Sequence, residues 1–266
     1  MTSSVHAGAA TRLPDPGSPD LTAPRQYSLK GILGTWAAAA LPMAALAWLV
    51  APWLADLLDG SSAWPRAIVV SLTAGLFWQM LLVLGLVHRE QGSLRWAVLK
   101  EALWLRAPRS PRSGHRGGWL WLLTIPLIAA VAVKEMLPKL PMPATRDMGL
   151  FLQSSAGEEF FSGNWPWFAL TLVMMVLNTA LGEELLFRGL LLPRMEGVFG
   201  RRDWVANGLL FGLYHLHTPW SIPANLLDTF YQSYPSKRYR SALLSIVVHS
   251  AQTVVLGLML LALVLR

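Results

Sequence analysis

Residues 167–193 read WFALTLVMMVLNTALGEELLFRGLLLP. No charge occurs over 160–182, after which Glu183 and Glu184 arrive together and Arg188 follows four residues after Glu184. About 20 apolar residues suffice to cross roughly 30 Å of hydrocarbon, so the stretch predicts a membrane helix that carries carboxylates near one end. An ionised side chain in hydrocarbon costs several kcal/mol and is found facing a protein interior or a water-filled cavity. The helical repeat separates the two acids. Glu184 and Arg188 stand at i, i+4 and form an ion pair on one face, whereas Glu183, turned about 100° around the helix, has no local partner. An unpaired carboxylate in a sheltered cleft is suited to act as a general base. The plain alternative is a helix that ends at headgroup level with Glu183, Glu184 and Arg188 all solvated. A bare Glu-Glu pair is weak on its own: Glu158-Glu159 has Gly163 where an arginine would stand and reads as a solvated loop.

The rest of the chain has the same character. Of its 266 residues 54% are apolar and 14% charged, well below the quarter usual in soluble domains, and the mean hydropathy is +0.43. The absence of cysteine excludes a disulfide-stapled module. Uncharged runs also occupy 31–55, 67–87, 117–133, 204–227 and 241–265. The run at 204–227 is interrupted by Pro219 and Pro223 and reads as a helix over 203–217, then a broken or re-entrant piece to about 231. The expectation is an all-α, polytopic membrane helix bundle with six to eight membrane segments. Residues 1–29, polar and rich in Pro and Ser, are expected to form a disordered cytoplasmic tail, and 30–266 a membrane-embedded domain.

Charge sets the expected orientation. Segment 89–116 holds seven basic residues against Glu90 and Glu101, and 188–202 holds Arg188, Arg194, Arg201 and Arg202 against Glu196. Both are assigned to the cytoplasm by the positive-inside rule, and 134–164, with more acids than bases, to the outside. Lys237, Arg238 and Arg240 satisfy the rule only if 203–232 enters the membrane and returns. A multi-pass protein of the cell membrane, the bacterial inner membrane, with its N-terminus in the cytoplasm is the expected result. The net charge of +7 is accounted for by loops that face anionic headgroups. No basic surface interleaved with stacking aromatics is present, so no nucleic-acid partner is expected.

Two histidines extend the motif. Asn207, Phe211 and His215 fall at i, i+4, i+8 on one slowly drifting stripe, and His249 is the one ionisable residue of 241–265. His217, just before Pro219, reads as a helix-end residue. A lone membrane histidine is commonly a hydrogen-bonded structural group. Two of them, with Glu183 on a third helix, offer either a three-ligand metal site with one open position or a metal-free site. In the second, Glu183 activates water and the imidazoles meet the oxyanion.

Glu183-Glu184-x-x-x-Arg188, then Phe211-x-x-x-His215, then a motif beginning at His249 resemble the CPBP family, the prokaryotic relatives of the type II CAAX prenyl endopeptidase, over about 165–260. The resemblance implies an intramembrane endopeptidase. Water activation falls on Glu183, supporting roles on Glu184 and Arg188, and catalytic or metal-binding roles on His215 and His249. Zn2+ is the metal it suggests. The family places an Asn four positions after the last His; here that position is Thr253, with Gln252 beside it, so these two and Asn207 are the candidates for oxyanion or supporting contacts. The implied partners are the bilayer and a membrane-embedded or lipidated peptide substrate. Two other readings stand beside this one: a non-catalytic scaffold or toxin-resistance protein on the same fold, favoured by Thr253, and a proton-coupled transporter, disfavoured by the lack of two comparable halves.

Overall fold

The computed structural model describes residues 24–137 and 140–266, and among these every regular element is helical. Five helices are long and apolar enough to span a membrane: Leu29–Asp56, Ala63–Gln91, Gly118–Glu135, Trp165–Arg194 and Ala242–Val264. In chain order they are the first to fifth spans. The chain is a multi-pass helical membrane protein, as its uncharged runs foretell. Of the tail expected over 1–29, residues 1–23 lie outside the described residues. Residues 25–28 run along the end of the fourth span, with Tyr27 N–H donating to the Arg194 carbonyl at 2.9 Å and Gln26 Nε2 to that of Pro193 at 2.9 Å.

The fourth span is the axis of the bundle. In its most apolar window 56% of residues are buried, against 22–39% in the other four spans. Leu186, Phe187, Leu190 and Leu191 pack there against Leu76, Val83 and Val87 of the second span.

Residues 203–239 account for the awkward charge count. The helix Asp203–Tyr214 is 12 residues long, about 18 Å at the α-helical rise, and too short to cross. Its end is a single tight turn, His215–His217. The chain then reverses through Pro219–Ser221 and Ile222–Asn225 and returns through Thr229–Ser233 and Tyr234–Tyr239. The two prolines sit in the first turns of the short helices after the reversal, where a missing N–H costs nothing. The helix expected over 203–217 is thus an α-helix with a tighter final turn, and the residues after it form the return limb of a re-entrant hairpin. Five candidate spans and the two sub-spanning limbs of the hairpin make up the polytopic helical bundle that was expected.

Close packing of the limbs depends on two glycines. A Cβ on Gly208 would collide with the Thr229 side chain, and one on Gly212 would lie 2.6 Å from Leu226 Cδ2. Trp36 and Trp48 of the first span fasten the hairpin from outside, their indole N–H groups donating to the Leu210 and Leu216 carbonyls at 2.8 Å. At the base, Lys237 Nζ bonds Asp203 and, at 2.8 Å, Glu196, so the hairpin leaves and re-enters one end of the bundle. That end also gathers Arg106, Arg109 and Arg194: Arg109 N–H donates to the Tyr239 carbonyl, Ser241 Oγ to that of Arg106, and Arg194 Nη1 to that of Ala102. One face therefore collects the basic segments, the arrangement required if a positive face lies on one side of a membrane.

Candidate active site

The fourth span departs from α-geometry where its acids lie. Widened π-helical turns occupy Leu177–Gly182 and Leu185–Leu191, bracketing Glu183 and Glu184. Such turns expose backbone carbonyls and are frequent at functional sites. Asn207 Nδ2 takes up one of these carbonyls, that of Phe187, at 2.8 Å, while its Oδ1 accepts from Ser233 Oγ at 2.9 Å. Asn207 thereby ties the fourth span to both limbs of the hairpin. Of the supporting roles expected for it, the structure places it at this clamp.

Glu184 and Arg188 have no exposed surface. Arg188 Nη1 donates to Glu184 Oε1 at 3.1 Å, the i, i+4 pair that the spacing predicts. The Arg188 guanidinium also lies 4.0 Å over the Phe211 ring, a cation–π contact between the fourth span and the hairpin. Its Nε and Nη2 and the Glu184 Oε2 have no hydrogen-bond partner.

The histidines reach this cluster from two other elements. His249, 7% exposed on the fifth span, brings Nδ1 to 3.0 Å from Glu184 Oε1. His215 caps the descending limb, and its Nδ1 lies 2.9 Å from the Phe211 carbonyl. Both partners are acceptors, so each Nδ1 carries the proton, and Nε2 is the nitrogen left for other chemistry. His215 Nε2 faces Glu183 Oε1 at 3.9 Å, longer than a hydrogen bond. His217 stacks on His215 with ring centroids 5.3 Å apart and stays a helix-end residue. The geometry therefore sorts the pairings: Glu183 with His215, Glu184 with Arg188 and His249.

Two further residues lie in line behind Glu183. Gln79 of the second span donates from Nε2 to the Tyr214 hydroxyl at 2.5 Å, and that hydroxyl neighbours the Glu183 carboxylate. Because the amide supplies the proton to the phenol oxygen, the phenol proton is directed to the carboxylate. Sequence reading missed both. Their signal was a polar side chain inside an uncharged run, Gln79 within 67–87 and Tyr214 beside His215.

Thr253 is buried, its Oγ1 2.9 Å from Thr179 Oγ1 and donating to the Met175 carbonyl at 3.4 Å. Gln252 lies with Thr253, Asn178 and Thr179 on the wall of a small cavity of about 200 Å³ completed by Leu76 and Met175. Thr179 precedes Glu183 by four residues and Thr253 comes four after His249, so the cavity lies about one turn from each.

Among the described residues no group of three His, Asp or Glu side chains is close enough to hold a metal ion. Of the expected ligand set, His215 Nε2 faces Glu183 Oε1 at 3.9 Å, and His249 donates from Nδ1 to Glu184, which leaves its Nε2 free. No chemical step is routed through a metal.

Residues 165–255 match the family described as type II CAAX prenyl endopeptidase Rce1-like. Comparison with curated proteins and with solved structures finds no significant match. The matched segment holds every residue of the cluster except Gln79: the fourth span, the hairpin and the fifth span as far as Thr253. Over residues 165–255, about a third of the chain, the sequence is similar to the type II CAAX prenyl endopeptidase Rce1-like family.

Proposed function

We propose that this protein is an intramembrane endopeptidase that hydrolyses a peptide bond of a membrane-associated substrate with a water activated by Glu183. The observation that carries the reading is the division of labour between adjacent acids. Glu184 is consumed by Arg188 and His249, while Glu183 is buried, neighboured by the Tyr214 hydroxyl and open toward His215. A structural pair of acids would both be neutralised.

Lipid supplies neither nucleophile nor hydrogen bonds, so the reaction needs a polar enclosure, and the buried polar side chains that the fourth span, the hairpin and the fifth span bring together supply its groups. Glu183 takes a proton from water as the oxygen attacks the scissile carbonyl, and returns it to the leaving amide nitrogen. When its ring carries a second proton, Nε2–H of His249 is a donor for the oxyanion, with Glu184 as its counter-charge. The arginine-rich end, and with it the N-terminus, is assigned to the cytoplasm.

The test is cleavage of tagged single-span peptides co-reconstituted with the purified protein in phospholipid vesicles. Wild type is expected to cut, and Glu183→Gln to lose about 10²–10⁴-fold in rate while remaining inserted and folded. Equal cleavage by the two proteins refutes the reading.

A further inference from the structure

The third span is uncharged from Gly118 to Val133, and then comes Lys134, 6% exposed. Its ammonium donates to both carboxylate oxygens of Asp228, at 3.0 Å each. Asp228 lies on the return limb of the hairpin and is 2% exposed. Glu135 Oε1, on the exposed side, lies 3.5 Å from the same ammonium. This ion pair joins two elements that share no other charge contact among the described residues, and it stands outside the Glu-Glu-Arg and histidine motifs.

The pair joins elements packed on those that carry the cluster: the third span lies against the fifth, which holds His249, and the return limb against the descending limb, which ends at His215. Asp228 acts electrostatically on Glu183 and His249 and is itself held by Arg188 as well as Lys134. Lys134 acts on His215.

Stability is a poor reason for such a pair. Removing two ions from water costs several kcal/mol each, and apolar replacements of similar volume are often neutral or stabilising. A hairpin that needed only fastening would be held as well by leucines. Around Glu183, however, charge is redistributed during hydrolysis, as a carboxylate is neutralised while an alkoxide forms a few ångströms away. Fixed charges in a sheltered site act strongly on such a change.

We infer that Lys134 and Asp228 are positioning residues for hydrolysis, an oriented ion pair that seats the return limb on the third span and sets the electrostatic field across Glu183, His215 and His249. This inference rests on the endopeptidase reading and adds to it a polar wall contributed by a span outside the family match.

The experiment uses the full-length protein in phosphatidylethanolamine–phosphatidylglycerol vesicles with tagged single-span peptides as probe and Glu183→Gln as the blank. The doubly substituted Lys134→Gln/Asp228→Asn protein keeps a hydrogen-bonded pair without charge. It is expected to retain Tm and a KM within roughly threefold of wild type, with kcat lowered about a hundredfold. A kcat equal to wild type at equal Tm overturns the inference. A second variant, Lys134→Asp/Asp228→Lys, restores an ion pair with reversed direction. It is expected to keep Tm near wild type with kcat still low; a kcat at the wild-type level reduces the pair to a fastening and overturns the inference even if the neutral variant fails to fold. Failure of the broader reading looks different, because wild type and Glu183→Gln would then cut alike.

Discussion

His249 hydrogen-bonds Glu184 and not Glu183: its Nδ1 lies 3.0 Å from Glu184 Oε1. Adjacent acids on one helix are thereby given opposite fates. Glu184 is the anchor of a buried network with Arg188, and Glu183 is left to face His215. Removing the anchor is therefore expected to act through stability as well as rate. Glu184→Gln strands the Arg188 charge, and Arg188→Met strands that of Glu184. Each is expected to cost about 3–5 kcal/mol, read as lowered Tm of protein in detergent, whereas Glu183→Gln is expected to leave Tm near wild type. Equal destabilisation by all three would contradict the assignment.

Tyr214→Phe deletes the hydroxyl between Gln79 and Glu183 while leaving the ring in its contacts with Phe187 and His215. The expected loss in stability is about 1 kcal/mol, and the cleavage rate should fall roughly tenfold because the carboxylate is no longer oriented. Gln79→Leu, which leaves the phenol proton unguided, should fall in the same direction. A rate unchanged in both variants would remove the relay from the mechanism.

The glycine at 208 is a packing requirement. Gly208→Ala drives a methyl group into Thr229 and is expected to separate the limbs, costing about 1–3 kcal/mol. Because the separation moves Asn207 and His215 as well, cleavage should be lost with the fold. Pairing it with Thr229→Gly, which clears the space, should recover part of both Tm and rate.

At the base of the hairpin the two acids on Lys237 respond oppositely to pH. The hydrogen bond and charge of Lys237 hold the exposed Glu196 carboxyl below its usual range, so its contribution is present at neutral pH and is lost as pH falls through that lowered value. Burial raises Asp203 despite the same lysine, so its ionised form is the costlier one in the folded protein, and the penalty eases on acidification. Glu196→Gln is expected to cost well under 1 kcal/mol at pH 7 and to flatten the fall of Tm on acidification. Lys237→Met, which leaves buried Asp203 without a counter-charge, should cost about 3 kcal/mol. Thermal melts of the three proteins from pH 7 to pH 4 provide the comparison.

Metal chemistry has its own measurement. Since the acids and histidines do not gather around one point, Glu183-dependent cleavage is expected to survive dialysis against a chelator. Activity lost to the chelator, restored by Zn2+, and accompanied by bound zinc that His215→Ala lacks would reverse that conclusion.

What the sequence made legible was local. The Glu184–Arg188 pair is an i, i+4 contact, and Asn207, Phe211 and His215 share a stripe because one short helix carries them. Pro219 and Pro223, together with the basic residues at 237–240, marked a segment that must turn back, and the hairpin does so. The choice His249 makes between two adjacent acids was not readable, because it depends on how the fifth span rotates against widened turns of the fourth. Lys134 looked like the first charge of an outer loop. Only the hairpin's return brings Asp228 against it, a contact across 94 residues that no periodicity encodes. Thr253, placed by its spacing from His249, proved to hold a neighbouring hydroxyl and a carbonyl, since the residue facing it, Thr179, lies on another helix.

The order in which the chain is made gives the hairpin a last consequence. Neither limb crosses the bilayer, and their polar groups are satisfied by side chains synthesised on both sides of them, Lys134 earlier and Ser245 later, the latter donating to Gln232 at 3.2 Å. Unsatisfied groups of this sort are costly in lipid, so the limbs settle only once the closing helix has arrived. That helix also delivers His249. The candidate site is therefore incomplete until the last span is in place.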